Sequence, residues 1–243
     1  MQLEQMTPQL HTKNMKIRPR RIVAVILSLI GLGFTIFLAA PPVIKNTQQG
    51  APAAPTIIQT GSAAKALEHL VMKGRAPKTG YVRSQFGGGW SSTSGCDTRN
   101  IILHRDLQNP VLDNACNVIG GTLNDPYTGT VIQFEKGSSV VQVDHVVAIS
   151  NAWQTGAQQL TKKERIQFAN DPLELLAVQG DANQQKSDGD AATWLPPNKP
   201  FRCQYAARQI AIKQKYILWV TPAEKQALLD VLVNCPDQAL PAK

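Results

Sequence analysis

Two short sets of residues in this sequence could together carry out metal-assisted hydrolysis. Asp144 and His145 follow an apolar, β-branched run at residues 140–143, and Asn183 follows a second apolar run at residues 173–178. A carboxylate oxygen of Asp144 and the amide oxygen of Asn183 suit one hard divalent cation such as Mg²⁺. The imidazole of His145 could then take a proton from a water that attacks a phosphodiester.

The elements around these residues predict how they come together. Both apolar runs are typical of short strands, and a turn at residues 179–181 precedes a helix that Asn183 opens. Lys186 lies one helical turn after Asn183, where its ammonium could contact phosphate. An Asp-His pair alone is more typical of a strand end held by local hydrogen bonds. The full order of strand, strand and helix favours a ββα-metal site.

The sequence resembles the HNH endonuclease superfamily, in particular the exported bacterial HNH proteins related to the GmrSD-type C-terminal domain. The resemblance extends from about Gly95 to Cys235 and rests on residues 105–107, 121–129, 143–148, 152–157, 168–173, 183–186 and 193–197. It implies an α+β fold with a ββα-metal (HNH, His-Me finger) core and additional helices. It also implies a metal-dependent endonuclease that acts on nucleic acid, with DNA the favoured substrate. Mg²⁺ is the expected cofactor, and Mn²⁺ and Ca²⁺ are alternatives.

The sequence departs from the family pattern at one position. The family pattern usually carries an Asn nine residues before the helix Asn, where it orients the catalytic His, and here that position is Glu174. A Glu can accept a hydrogen bond but lacks the amide donor, and Asn170 could substitute for it. Arg105 could bind the scissile phosphate through two hydrogen bonds, or it could pair with Asp106 and hold a loop together.

Composition divides the chain into four parts. Residues 1–21 form a polar, basic tail, and the uncharged apolar residues 22–40 are long enough to span a bilayer. Residues 41–61 are rich in Pro and Ala and predict a linker, and residues 62–243 form the HNH nuclease-like domain. We expect a membrane-anchored protein of the cell envelope with this domain outside the cell. Cleavage after residues 22–40 would instead give a secreted protein.

Four cysteines lie in the part of the chain that is predicted to be exported. Their spacing contains no C-x-x-C pair, so a zinc knuckle is disfavoured, and their even number favours two disulfides. Three pairings are open. We favour Cys96–Cys116 and Cys203–Cys235, because each closes a local unit and the second would join the two C-terminal helices.

Local signals predict several other elements. Thr161 with Glu164, and Thr221 with Glu224, form capping boxes that begin helices. Strands at residues 130–134 and 140–143 are expected to pair as a hairpin. The Gly-rich residues 87–89 lack the Gly-Lys-Ser of a phosphate-binding P-loop and predict a flexible surface loop.

Charge and motifs narrow the function classes. The formal net charge is +8, but half of it lies in residues 1–40 and is explained by membrane topology, so it is only a mild indication of a polyanionic partner. The absence of H-E-x-x-H and G-x-S-x-G disfavours a protease or another esterase. A catalytically inactive module that binds nucleic acid or cell-wall polymer is the alternative function. No feature of the sequence requires an obligate protein partner.

Overall fold

The computed structural model describes residues 62–241, which form an α+β structure. The α-helices are α1 (Ser62–His69), α2 (Thr98–Asp106), α3 (Ile149–Gln154), α4 (Lys162–Ala169), α5 (Gly180–Lys186), α6 (Arg202–Lys215) and α7 (Pro222–Leu232). The strands are β1 (Ser92–Thr93), β2 (Cys96–Asp97), β3 (Leu107–Leu112), β4 (Val118–Asn124), β5 (Val131–Glu135), β6 (Val141–His145) and β7 (Leu175–Gln179). Short 3-10 helices lie at Arg83–Phe86, Ala157–Gln159 and Lys199–Phe201.

The strands of this region form three small antiparallel sheets. β1 pairs with β2, β3–β4–β5 form a three-stranded sheet, and β6 pairs with β7. The predicted hairpin between β5 and β6 is wrong, since these strands belong to different sheets. β5 lies against β4, whereas β6 pairs with β7, which comes 30 residues after the end of β6 at His145. A short loop permits a hairpin, but long-range pairing decides the partner of each strand.

Both predicted capping boxes are confirmed. The side chain of Thr161 accepts a hydrogen bond from the backbone of Glu164, whose carboxylate accepts one from the Thr161 backbone at the start of α4. Thr221 and Glu224 form the same arrangement at the start of α7, with Pro222 as its first residue. These reciprocal bonds satisfy backbone N–H groups that have no partner within the helix.

Three hydrophobic clusters hold the elements together. One cluster lies under the end of β6 and includes Val146, Val147 and Trp153, with Leu176 of β7 and Ala182 of α5. A second packs α1 against α6 and α7, and a third lies between the three-stranded sheet, α2 and β6–β7. Because side chains from β7, from α5 and from the residues directly after β6 share the first cluster, buried apolar contacts fix the position of α5 on this unit.

Two disulfides are present, Cys96–Cys116 and Cys203–Cys235, and they are the pairs that the sequence analysis favours. The first links β2, directly before α2, to the turn before β4. The second joins the start of α6 to the end of α7, with a Cα–Cα distance of 6.3 Å. The paired cysteines are 20 and 32 residues apart in sequence, so each bond closes a loop and restricts the unfolded chain.

The predicted tail, membrane segment and linker at residues 1–21, 22–40 and 41–61 lie outside the described residues. Within residues 62–241, no helix is long and apolar enough to cross a membrane.

Candidate active site

The antiparallel pair β6–β7 and the helix α5 bring the predicted site residues together. In the register of the two strands, Asp144 lies opposite Leu176 and His145 lies opposite Leu175, so both residues stand at the end of β6. α5 begins at Gly180, directly after β7. A Cβ on Gly180 would lie 2.3 Å from the carbonyl oxygen of Ser139, so only glycine permits this tight connection.

A polar cleft of about 250 Å³ opens at this point. Asp144, His145 and Asn183 all line it, as the sequence predicts, together with the exposed residues Arg83 and Asp188. A second, smaller cleft of about 190 Å³, here called the Trp90 cleft, lies against His145 and shares Arg83 with the polar cleft. The imidazole of His145 therefore borders two neighbouring depressions of the surface.

The ring of His145 is fixed in one orientation. Its Nε2 lies 3.0 Å from the carbonyl oxygen of Ala169, and because a carbonyl only accepts, Nε2 carries the proton. Burial lowers the pKa of His145 to about 3, the carbonyl bond to Ala169 opposes this shift, and the positive charges of Arg83 and Lys186 add to it. The imidazole is thus neutral near pH 7, and Nδ1 is its basic nitrogen.

The ring of Trp90 stacks on His145, a contact that the sequence analysis missed. The two rings are 5.6 Å apart between centroids and 4° from parallel. Gly87 and Gly89 adopt φ angles of 109° and 147°, which let the chain turn so that Trp90 reaches the histidine. Gly88 and Gly89 are exposed, as expected of a surface loop, and the loop leads directly into Trp90 beside the site. The glycines marked the turn, but nothing local to them indicated the histidine as a partner.

Asn170 was predicted to orient the site, and the structure gives it no contact with His145. Its side-chain oxygen accepts a hydrogen bond of 2.8 Å from the backbone N–H of Ser91, next to Trp90, and its amide donates to the carbonyl of Ile166. Asn170 thus holds the segment at residues 83–90, here called the Trp90 segment, close to the end of α4. It acts on the histidine only through Trp90 and through its neighbour in sequence, Ala169.

Asp144 is held by two donors. The hydroxyl of Tyr127 donates to Oδ2 at 2.6 Å, and the ammonium of Lys186 lies 3.0 Å from each carboxylate oxygen. Burial raises the pKa of Asp144, although the charge of Lys186 and both hydrogen bonds lower it. Burial, followed by the charge of Asp144, raises the pKa of Tyr127 well above its usual value, so the phenol keeps the proton that it donates.

Lys186 therefore occupies a different place from the predicted phosphate contact. Its side chain is fully buried, and the ammonium also donates to the backbone carbonyl of His145 at 2.8 Å. Helical spacing correctly places Lys186 one turn after Asn183, but the ammonium points into the protein because Asp144 and the His145 carbonyl satisfy it there. In this structure Lys186 positions the end of β6.

Glu174 lies behind the strand end, fully buried, and does not line the cleft. Its carboxyl oxygens lie 3.1 and 3.4 Å from the backbone nitrogen of Val147, two residues after His145. Burial raises its pKa well above the usual value, against the opposing charge of Lys186. In this structure the carboxyl of Glu174 accepts the Val147 N–H and so supports the backbone just after His145.

The structure does not bring Arg105 to the cleft. Its guanidinium forms an ion pair of 2.6 Å with Asp106 and donates to the carbonyls of Pro172 and Leu175, each at 2.7 Å. It borders a separate groove of about 730 Å³. Asp106 in turn accepts from the backbone of Ala177 in β7. Arg105 therefore pairs with Asp106 and holds a loop in place. The alternative prediction, that Arg105 binds the scissile phosphate, is wrong for this structure.

The oxygen donors of the cleft fit a divalent cation with few protein ligands. The amide of Asn183 donates to the side-chain oxygen of Gln142 at 2.8 Å, and its Oδ1 has no partner among residues 62–241. The carboxylate of Asp144 has lone pairs beyond those that Tyr127 and Lys186 use. Hard cations such as Mg²⁺ bind through one or two such oxygens together with water and substrate phosphates.

The same residues set a limit on the affinity of that site. Within the described part of the chain, no group of three or more His, Cys, Asp or Glu side chains could hold a metal ion. The ammonium of Lys186 neutralises Asp144, so the protein offers the cation little net negative charge. We therefore expect weak binding by the free protein, which the phosphate of a substrate would strengthen.

Comparison with known proteins gives the family. A family model for the C-terminal domain of GmrSD restriction endonucleases matches residues 97–231, more than half of the sequence. The chain belongs to this family. The match contains Asp144, His145, Asn183 and Lys186, whereas Arg83 and Trp90 precede it. Membership connects the chain with a nuclease-type family.

One similar protein comes from outside the bacteria. An uncharacterized secreted protein of Arthroderma benhamiae is 37% identical over 205 residues, which are 83% of this chain and 98% of that protein. That organism is a fungus, so the comparison does not support the restriction to bacterial proteins that the sequence analysis made.

Proposed function

We propose that this protein is a metal-dependent endonuclease that hydrolyses phosphodiester bonds of nucleic acid, with DNA as the favoured substrate. One observation carries the proposal. The imidazole of His145 is pinned through Nε2 on the Ala169 carbonyl and borders a polar cleft that Asp144 and Asn183 also line. A positioned imidazole beside two oxygen donors is suited to general-base hydrolysis with a hard cation.

His145 acts as the base in this proposal. Its Nδ1 takes a proton from the attacking water, and the imidazolium that forms keeps its Nε2–H bond to the Ala169 carbonyl. Stacking on Trp90 restricts rotation of the ring. Lys186 and Tyr127 hold the carboxylate of Asp144 in the cleft and Gln142 holds Asn183, so both oxygen donors are oriented before substrate arrives.

Asp144 and Asn183 would hold the divalent cation, with Mg²⁺ expected and Mn²⁺ or Ca²⁺ as alternatives. When bound, the cation would stabilise negative charge on the scissile phosphate. Lys186 keeps Asp144 in place and does not touch the substrate. Glu174 supports the backbone at Val147, and Asn170 supports the Trp90 segment, so both are positioning residues in this proposal.

A plasmid-cleavage assay of the full chain with Mg²⁺, Mn²⁺ or EDTA tests the activity. We expect cleavage that EDTA abolishes, and a loss of about 10²–10⁴-fold in the His145→Ala variant, the range that general-base help supplies. His104→Ala is the matched control, since His104 is exposed on α2 and lines neither cleft. Equal cleavage by wild type and His145→Ala would remove the base assignment.

Calorimetric titration with Mn²⁺ separates the base from the ligands. Asp144→Asn and Asn183→Ala should lose metal affinity together with cleavage, whereas His145→Ala should lose cleavage and keep its affinity. Unchanged metal binding in both ligand variants would contradict the assigned site. A wild-type protein that binds nucleic acid or cell-wall polymer but cleaves nothing with any metal would favour the alternative, a non-catalytic module.

We also propose that the domain works outside the cytoplasm. Two disulfides suit an oxidising compartment, and the similar fungal protein carries the description secreted. Retention on a membrane through residues 22–40 and release after cleavage are the two forms of this proposal. N-terminal sequencing of the native protein distinguishes them, because release would give a start after residue 40.

A further inference from the structure

The 3-10 helix at Arg83–Phe86 presents an arginine beside His145 from a firmly held base. The ring of Phe86 is buried and packs against Phe168 and Trp153, with centroids 5.8 and 6.4 Å apart. The guanidinium of Arg165 donates to the backbone carbonyl and to the side-chain oxygen of Gln85, at 3.1 and 2.9 Å. These contacts fix the turn on which Arg83 stands.

The guanidinium of Arg83 is the unmatched charge of the polar cleft. Arg83 is exposed, lines both the polar cleft and the Trp90 cleft, and within residues 62–241 its side chain takes part in no hydrogen bond or ion pair. The acidic groups that line the same cleft are already paired. Asp144 faces Lys186 at 3.0 Å, and Asp188 faces Lys78 at 2.8 Å.

We infer that Arg83 binds the phosphate of the nucleic-acid strand that the water activated by His145 attacks. The inference rests on the proposed nuclease function and names the phosphate-binding residue of that site, the role that Arg105 does not fill. A guanidinium fork matches two oxygens of a phosphodiester and keeps its charge at every working pH.

Trp90 fits the same assignment. Its ring covers one face of His145, and it lines the Trp90 cleft together with Arg83. The two residues stand on one segment, residues 83–90, which lies outside the part of the chain that the family model matches. The phosphate site is therefore built by a segment that precedes the catalytic β6–β7–α5 unit in sequence and meets it only in the folded protein.

Binding of DNA without cleavage tests the arginine directly. The probe is a fluorescein-labelled 16-base-pair duplex, and its affinity for the full chain is measured by anisotropy in EDTA over a range of NaCl concentrations. Arg83→Ala should weaken binding and reduce the slope of log affinity against log salt by about one, the value for one lost phosphate contact. Arg83→Lys should keep part of the affinity, because it keeps the charge without the fork.

Arg99→Ala is the matched control, since Arg99 lies on α2, lines neither cleft and carries the same charge. In the plasmid assay, Arg83→Ala should lower the rate of cleavage by about 10²–10³-fold, the usual loss for one preorganised group that stabilises charge. Arg99→Ala should cleave like wild type. Both variants should melt at the wild-type temperature, because neither side chain takes part in a hydrogen bond or ion pair within the described residues.

The outcomes separate this inference from the proposed function. Cleavage and salt slope at wild-type values in Arg83→Ala would overturn the arginine assignment and leave the nuclease standing. Equal losses in Arg83→Ala and Arg99→Ala would also overturn it, because they indicate a general effect of surface charge. The wild type could bind the duplex through Arg83 and yet fail to cleave DNA with any of the metals tested. That result would refute the nuclease function and support the phosphate site.

Discussion

Within residues 62–241, the side chains of Lys186 and Lys213 are both fully buried, and each forms an ion pair with one carboxylate. The Nζ of Lys213 lies 2.9 Å from Oε1 of Glu224 and donates to the backbone carbonyl of Trp219. Lys186 has the corresponding pair of partners, Asp144 and the His145 carbonyl. By residue type and contacts alone, the two sites are close equivalents.

Their surroundings differ. Glu224 is completely enclosed and also belongs to the capping box that starts α7, so the pair with Lys213 joins α6 to α7. Asp144 borders the polar cleft and has a second partner in Tyr127. A buried ion pair is therefore no indication of function by itself. The Lys186–Asp144 pair differs because it holds Asp144 beside His145 at an open surface.

The largest effect that tests this comparison is on stability. Lys213→Met leaves Glu224 buried without a counter-charge and should lower the free energy of unfolding by about 3–5 kcal/mol, the usual cost of breaking a buried pair. Lys186→Met should cost less, because Asp144 keeps the Tyr127 hydroxyl and reaches the cleft. Urea denaturation of both variants measures the difference.

For cleavage activity, we expect the larger loss in Lys186→Met and the smaller loss in Lys213→Met. Per folded molecule, Lys186→Met should lower plasmid cleavage by about 10²-fold, since small displacements of a catalytic group have effects of this size. Lys213→Met should cleave normally once folded. A larger stability loss at Lys186, or equal cleavage losses, would mean that the two pairs serve the same purpose.

A second test uses pH, because Glu174 and Glu224 are both fully buried and Glu174 has no ion-pair partner among residues 62–241. Burial raises the pKa of Glu174 above its usual 4.5, so its protonated form stabilises the fold fully below that value and less as the pH rises toward the folded pKa. Glu174→Gln should gain stability relative to wild type above pH 4.5, by up to about 1.4 kcal/mol per pH unit.

Chemical denaturation between pH 4 and 8 measures how much more stable Glu174→Gln is than the wild type at each pH. Glu224→Gln is the control, because it strips Lys213 of its counter-charge and should be less stable than wild type across the whole range. A difference between Glu174→Gln and wild type that stays constant with pH would show that Glu174 ionises normally in the folded protein.

The smallest expected effects come from the second partners of the two carboxylates, Tyr127 beside Asp144 and Thr221 beside Glu224. Tyr127→Phe removes the hydroxyl from Asp144, and Thr221→Ala removes the cap beside Glu224. Each should lower stability by about 1 kcal/mol. Only Tyr127→Phe should also slow plasmid cleavage, because Asp144 then loses one of the groups that orient it. Thermal melts and cleavage rates of both variants decide this, and slower cleavage by Thr221→Ala would count against it.

The sequence by itself determined the features that depend on near neighbours. Both capping boxes join residues three positions apart, so the order of residue types suffices to predict them. The Asp-His pair at the end of β6 and the one-turn spacing of Asn183 and Lys186 follow in the same way from strand and helix geometry. Four cysteines beyond an apolar segment favoured the two disulfides.

The tertiary structure decided which distant groups meet. The backbone of Ser91, next to Trp90, is bound by Asn170, 79 residues away, and Arg105 reaches the carbonyl of Leu175 across 70 residues. Local patterns contain no information on such contacts, because packing of the whole domain selects them. Lys186 shows the consequence most clearly. Helix periodicity gives its place along α5, but its direction depends on whether a buried carboxylate or solvent lies beside it, and only the fold supplies Asp144 there.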